Sequence, residues 1–385
     1  MKFNNNIGNF HFKKKFNFNY LIDDFLSLDL FEPINKKNYF NKYNFSIFKN
    51  KSYRVHVFGM GGSSLSCKLI AQFIKPQILN TKLFIYDNPS FIKISQTFEN
   101  LKINNNDKFI FISKSGNTIE TKYFLYLVIN FLKKLKIKNY LKQFIFITEK
   151  NKSFLYKFAI KNKIDHFEHN PNIGGRFSIF SITALLPLVA AGFSIKNILL
   201  NFNMAKKKFA NIHTELSNLT QITHQIEKKK KLNLIVGLTY HDKLHAINEW
   251  YRQIFAESLG KNKKAINYIS SYGSIDQHSQ FQLYIDGPMD KHFVFFSIDN
   301  KPSNLKSPSQ LIQGSNLLSN LEQGAIKTLK QGHFLVNQFI IKEKLDDYIC
   351  LCMTLIFDIY LRAKIENINF LDQPAVEILK KNTKI

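Results

Sequence analysis

The chain has 385 residues, 45% of them hydrophobic, enough for two core-bearing domains and too apolar for a disordered protein. Its formal net charge of +26 would ordinarily point to nucleic acid or an anionic membrane, but the lysines are scattered among abundant Asn, Ile and Phe. The largest runs, residues 13–15 and 228–231, interleave no aromatics with glycine, so they read as solvated faces, and neither partner is expected.

A field of this sign would still attract anionic substrates. The three cysteines, Cys67, Cys350 and Cys352, show no zinc spacing, and their odd count argues against a disulfide framework. A reducing, cytoplasmic location is therefore expected. The first acidic residue is Asp23, which makes a transit peptide the second reading. The most apolar stretch, 180–193, contains Ser181, Thr183 and Pro187 and is too short to span a bilayer.

Residues 1–50 are weakly patterned and read as an extension with a short helix near 21–28. From Tyr53 the pattern sharpens. A strand at 55–58 leads through a Gly-Met-Gly-Gly-Ser-Ser turn from Gly59 into a helix ending near 73. Strands follow at 83–86, 108–112 and 144–148, alternating with helices at 91–98, after Thr118, and at 154–160. Such alternation implies a doubly wound parallel sheet, an α-β-α sandwich with ligands at the carboxyl ends of its strands.

The alternation breaks at 170–175, before an apolar helix expected over 177–191 and amphipathic helix over 195–226. It then resumes with strands at 232–238, 265–270 and 293–298 and a helix at 244–259. Residues 301–319 read as loop, 321–331 as helix, and 335–365 as a long, broken helix. The expected organisation is an extension over 1–50, two related α/β domains over 51–200 and 201–369, and a helical tail over 370–385.

Residues 113–121, Ser-Lys-Ser-Gly-Asn-Thr-Ile-Glu-Thr, stand between a strand and a helix. Three hydroxyls (Ser113, Ser115 and Thr118) crowd the turn, and Gly116 lets the backbone approach a ligand. Unpaired N–H groups and a positive dipole end favour an anion there, and neutral hydroxyls suit a phosphate monoester. The alternative is a plain N-cap by Thr118. The turn at Gly59 lacks G-x-G-x-x-G spacing, but it could close around the same ligand as a second backbone cradle.

Arg176 is expected at the head of an apolar helix, where a cation has the wrong sign unless an anion lies nearby; a snorkelling surface arginine is the other reading. Gly260 and Lys261 suit a helix C-terminus, but Glu257 does not. The dipole there disfavours its charged form, which suits a proton-shuttling base; an ordinary exposed glutamate is the alternative. His278 lies in a polar loop entering an alternating strand, with Asp276, Gln277 and Gln280 placed to orient its ring. Gln373 and Lys380 in the tail are spaced by about two helical turns.

Together these stretches resemble the glucose-6-phosphate isomerase (phosphoglucose isomerase) family, whose members carry two sugar-isomerase (SIS) domains. The match runs from Gly59 to Lys380 in the family's order. Residues 172–178, 257–261 and 273–278 are specific to it, while 113–121 is shared by SIS domains generally, non-catalytic sugar-phosphate regulators included. The resemblance implies phosphate contacts at Ser113, Lys114, Ser115 and Thr118, with Gly62 and Ser63 lining the site. It implies Glu257 as the base between C1 and C2, Arg176 stabilising the enediolate, His278 and Lys380 opening the ring, and Gln373 binding substrate. It further implies a sugar-phosphate substrate, no cofactor or metal, and a homodimer in which His278 serves the partner's site. The chain departs from the family at Ser66, usually glycine; at Leu259, usually polar; and at Ala375, Ile378 and Leu379, usually small residues.

Overall fold

The structure, a computed structural model, describes residues 1–6, 21–48, 53–74, 82–299 and 309–382, the side chains of 309–316, 377, 380 and 381 excepted. It divides into two compact units, Ser27–Asn203 and Met1–Leu26 with Met204–Ile385. Strand β1 (Lys2–Asn5) and helix α1 (Leu21–Ser27) open the chain.

In the unit Ser27–Asn203 the strands are β2 (Arg54–Gly59), β3 (Leu83–Tyr86), β4 (Asp107–Ile112), β5 (Phe144–Thr148) and β6 (Asp165–Glu168). They pair in parallel in the order β3-β2-β4-β5-β6. Parallel strands are covered on both faces, so they need unbroken apolar runs, and β5 (Phe-Ile-Phe-Ile-Thr) is buried throughout. Phe58 stacks between Tyr86 and Phe111, with ring centroids 4.6 and 4.9 Å away. Besides a single turn at Glu32–Asn35, the helices packed with this sheet are α2 (Gly62–Ile74), α3 (Phe91–Leu101), α4 (Ile119–Lys134), α5 (Phe154–Asn162) and α6 (Ile182–Ala190). Serine side chains cap α3 and α5: Ser90 accepts from the Lys93 amide and Ser153 from that of Tyr156. Strand order reverses between β2 and β4, which opens a crevice at their carboxyl ends.

Helix α7 (Ile195–Lys229) spans the Asn203–Met204 boundary. Beyond it come β7 (Leu234–Thr239), α8 (Asp242–Leu259), β8 (Asn267–Tyr272), α9 (Gly273–Ser279), α10 (Phe281–Asp286) and β9 (Lys291–Ile298). The chain continues with α11 (Ser309–Gln331), β10 (Leu335–Ile341), α12 (Leu345–Glu366) and α13 (Pro374–Asn382). The sheet order is β1-β10-β9-β7-β8, parallel except for β1, which lies antiparallel on β10 with Lys2 opposite Ile340.

A buried ionic network ties α7, α12 and the sheet together. Arg362 holds Glu227 through two nitrogens, 2.6 and 3.2 Å away, and bonds Asp358 at 2.8 Å. His292 adds a contact to Glu227 at 2.8 Å. Burial would push the Glu227 carboxyl up, but the Arg362 charge and the His292 bond hold it below the ordinary carboxylate range. Glu322 has a weaker setting. Burial pushes its carboxyl up to about 7, opposed by the Ser297 hydroxyl, which donates at 2.8 Å.

Several expectations are corrected. Leu335–Ile341 is a strand, not the start of a helix, and Phe281–Asp286 is a helix, not an alternating strand. Helix α11 begins at Ser309, so much of the expected loop over 301–319 is helical; residues 301–308 and the run 13–15 lie outside the described residues. The expected 177–191 helix is two pieces, a 3-10 turn (Gly175–Phe180) and α6, because Ser181 breaks out to extended backbone and caps α6.

Candidate active site

At the carboxyl end of β4 the chain turns through Ser113 to Thr118. Gly116 has φ +66°, and a Cβ there would lie 2.2 Å from the Ser153 hydroxyl, so only glycine fits. Its amide donates to both the carbonyl and the hydroxyl of Ser113, at 3.1 Å each. The Ser113 and Thr118 hydroxyls share a 2.8 Å hydrogen bond. Thr118 stands at the N-cap of α4, yet its side chain caps no amide. The plain-cap reading is therefore corrected: the hydroxyl is turned toward Ser113, which leaves the first-turn amides of α4 to something else. Ser115 is exposed and accepts from the Asn117 amide at 3.3 Å.

Lys114 lies 3.9 Å from the Glu149 carboxylate. Burial lowers its pKa, Glu149 opposes this, and the Arg176 charge adds to the lowering. Lys114 and Arg176 therefore feel each other, as two cations facing one anion would. Arg176 is 4% exposed and its guanidinium lies 4.9 Å from the centre of the Phe177 ring. That excludes the snorkelling surface cation. Its helix-head position is also corrected, because it opens a 3-10 turn.

The glycine turn after β2 packs directly under this arginine. A Cβ on Gly62 would lie 2.1 Å from the Gly175 carbonyl oxygen and 2.6 Å from the Arg176 Cα. Two backbones cross here with no side chain between them. Ser66 joins the crossing: its hydroxyl lies 2.6 Å from the Gly62 carbonyl and 2.8 Å from the Ser178 hydroxyl. The Ser178 hydroxyl in turn donates to the Gly175 carbonyl at 2.7 Å. Ser63 is half-buried beside Gly62. This unit thus gathers Gly62, Ser63, Ser113, Lys114, Ser115, Thr118 and Arg176 at one edge of its sheet. His169, missed in the sequence, is buried there too. Burial pushes its pKa down to about 4, so the ring is neutral near Lys114. A lone histidine in a loop carries no spacing signal that could have found it.

In the other unit Glu257 occupies the last turn of α8, half-buried. Gln253, one turn earlier, donates its amide to the Glu257 carboxylate at 2.8 Å. Sequence reasoning missed Gln253, though its i, i+4 spacing from Glu257 is a usable signal. Gly260 is the C-cap, but with φ −68° it is not left-handed. Glycine is needed because a Cβ would come 2.3 Å from the Ala256 carbonyl. Lys261 reaches the tail, where its ammonium donates to the Asp372 carbonyl at 3.0 Å and contacts the Asp372 carboxylate and the Asn369 carbonyl. This tie holds the segment leading into Gln373, which is half-buried just before α13. Lys380 lies on α13, and its side chain is outside the described residues.

His278 lies in α9, not in a loop, and is exposed. Two of its three expected orienting neighbours are occupied elsewhere. Asp276 accepts from the Ser271 hydroxyl and the Tyr272 amide, at 2.8 and 2.6 Å, and Gln277 accepts from Tyr240 at 2.8 Å. The unit does not bring His278 to Glu257. Helix α8 starts at the carboxyl end of β7 and returns to the amino end of β8, so Glu257 stands at the amino edge of the sheet. His278 follows the carboxyl end of β8, about 17 Å of strand away.

Parallel-sheet units with an amide-and-hydroxyl cradle at a strand-order reversal, and no dinucleotide fingerprint, define a phosphosugar-binding protein of the sugar-isomerase class. A profile of the phosphoglucose isomerase family matches residues 43–297, and the chain belongs to that family. It is 30% identical over 338 residues to the glucose-6-phosphate isomerase of Methanocaldococcus jannaschii, covering 85% of this chain and 82% of that one. It is 35% identical over 246 residues to that of Campylobacter jejuni, covering 62% and 59%. Its fold is similar to that of a glucose-6-phosphate isomerase from Chlamydia trachomatis, with TM-score 0.72 and 18% identity over 88% of this chain and 70% of that one.

Proposed function

We propose that this chain catalyses the reversible isomerisation of glucose 6-phosphate and fructose 6-phosphate, through ring opening and a cis-enediol. Family membership carries the reading, and the uncapped first turn of α4 beside Ser113 and Thr118 supports it locally. In this reading the phosphate rests on Ser113, Lys114, Ser115 and Thr118, with Gly62 and Ser63 alongside. Remote binding energy then positions the reacting carbons. Glu257, held by Gln253, moves the proton between C1 and C2 on one face of the enediol. Arg176 stabilises the developing oxyanion. His278 and Lys380 handle the ring oxygen, and Gln373 contacts substrate.

A homodimer with shared sites belongs to the same reading. Its support is the placement of Glu257 and His278 at opposite edges of one sheet, and the exposed apolar residues Ile275, on α9 with His278, and Leu283, on the adjoining α10. A cytoplasmic location is supported by three buried cysteines that are all free, and no helix among the described residues is long and apolar enough to cross a membrane. The test is a coupled assay of fructose 6-phosphate conversion with purified protein. Glu257→Gln should lose about 10²–10⁴-fold in turnover and still bind sugar phosphate. Turnover near wild type would refute Glu257 as the base, and no turnover in the unmutated chain would refute the activity.

A further inference from the structure

A cavity of about 460 Å³ lies behind the helix end that carries Glu257, a size that suits a small ligand. Phe255 and Leu259, one turn apart on α8, line it. Glu257 stands midway between them in sequence, so the helix turns its carboxylate to the opposite side. With Leu232 and Ile368 these residues form an apolar wall.

The charges around the cavity do not balance. Of its two glutamates, Glu227 is held by Arg362 and His292, and Glu366 by His224 and Lys228 at 2.8 Å each. Lys231 and Lys264 line the cavity with no carboxylate in ion-pair range among the described residues. A second observation comes from Arg362, which is 4% exposed and also lines the cavity. A guanidinium has five N–H donors. One bonds Asp358 and two bond Glu227, which leaves the rest without an acceptor among the described residues. Buried donors of a fixed cation call for acceptors, and a charged acceptor suits them best.

We infer that this cavity binds a small organic anion, a phosphate or carboxylate carried on an apolar body. The anionic group meets Lys231, Lys264 and the spare donors of Arg362, and the body lies on Leu259 and Ile368. The site goes beyond the isomerase reading, which makes no use of that face of α8.

The probe is 8-anilinonaphthalene-1-sulfonate, an apolar-bodied anion that fluoresces in dry sites. It is titrated at low salt into the full chain, with an equilibrated mixture of glucose 6-phosphate and fructose 6-phosphate in excess to fill the catalytic cradle. One saturable site is expected. The double substitution Lys231→Asn and Lys264→Gln should weaken it about tenfold or more. Asparagine tolerates the left-handed backbone at position 231, where φ is 52°. A circular dichroism spectrum and melting temperature like those of the unmutated chain show that this variant is folded. Removing two exposed charges elsewhere, Lys133→Gln with Lys134→Gln, should change nothing. Displacement by phenyl phosphate or by benzoate identifies the headgroup and supports the site. Equal affinity in the cavity variant, equal weakening in the control pair, or displacement by neither competitor overturns it.

Discussion

The crossing of Gly62 with Gly175 makes a sharp prediction for Gly62→Ala. The new methyl carbon would lie 2.1 Å from the Gly175 oxygen and 2.4 Å from its carbonyl carbon. Ordinary carbon–oxygen contacts are about 3.3 Å, so the two backbones must part by about 1 Å. Both are main chain, and no flexible side chain can absorb the shift. The strain should cost about 1–3 kcal/mol of stability. Arg176, joined to Gly175, moves with it, and a misplacement of about 1 Å in a site can cost about 10²-fold in rate. The coupled assay should therefore show kcat reduced about 100-fold. Inhibition by inorganic phosphate should weaken far less than kcat falls, because Ser113, Ser115 and Thr118 stand on the separate turn before α4. Gly174→Ala is the control, since its Cβ would meet nothing closer than the Phe177 ring at 3.5 Å. A kcat for Gly62→Ala near wild type, or equal damage from Gly174→Ala, would refute the idea that this crossing seats the arginine.

Ser113→Ala and Thr118→Val should each weaken sugar phosphate and inorganic phosphate together, by about 1.5–3 kcal/mol, and less than additively because the two hydroxyls share a bond; unchanged phosphate inhibition in both would return the loop to a structural role. Mixing Glu257→Gln chains with His278→Ala chains should restore activity from two nearly dead parents, because one site of each heterodimer keeps both intact residues. Heterodimers seen by mass spectrometry with no gain in activity would exclude His278 from the partner's site. Glu322 predicts a pH effect. Its folded value, about 7, exceeds the unfolded one of about 4.5, so its contribution is fully present below pH 4.5 and is lost as pH rises toward 7. Glu322→Gln should remove that slope, worth up to about 3 kcal/mol, from melts taken between pH 4.5 and 8; an identical slope in both proteins would show that Glu322 is not its source.

The doubly wound alternation of Ser27–Asn203 was legible because its buried strands are unbroken aromatic and β-branched runs set between glycine or serine punctuation. Strand β10 was not. Its run Leu-Val-Asn-Gln-Phe-Ile-Ile has no clean period and is followed within four residues by an apolar helix, so the two merged. Strand β6, Asp-His-Phe-Glu, is a polar edge whose existence depends on β5 beside it. In the site, the hydroxyl-rich turn at 113–118 could be read because its residues are adjacent, although the Ser153 hydroxyl that also demands glycine at 116 lies far along the chain. The value of Gly62 could not, since it comes from a backbone more than a hundred residues away. The surroundings of His278 misled because Ser271, nearby in the chain, and Tyr240, between β7 and α8, claim Asp276 and Gln277, which the sequence sets next to the ring.

The pairing of β1 with β10 bears on how the protein is made. Lys2 leaves the ribosome 338 residues ahead of its partner Ile340. At about 5–20 residues per second, that strand waits about 20–70 s for its neighbour. Ser27–Asn203 emerges complete well before then, with all five strands of its own sheet, and can fold during synthesis. The other unit must hold its opening residues in reserve, paying a loop-closure entropy that only its final strands repay. The β1 amides should therefore gain protection in the slowest phase of refolding, and a bulky fusion at the amino terminus should slow that phase while leaving the earlier one unchanged.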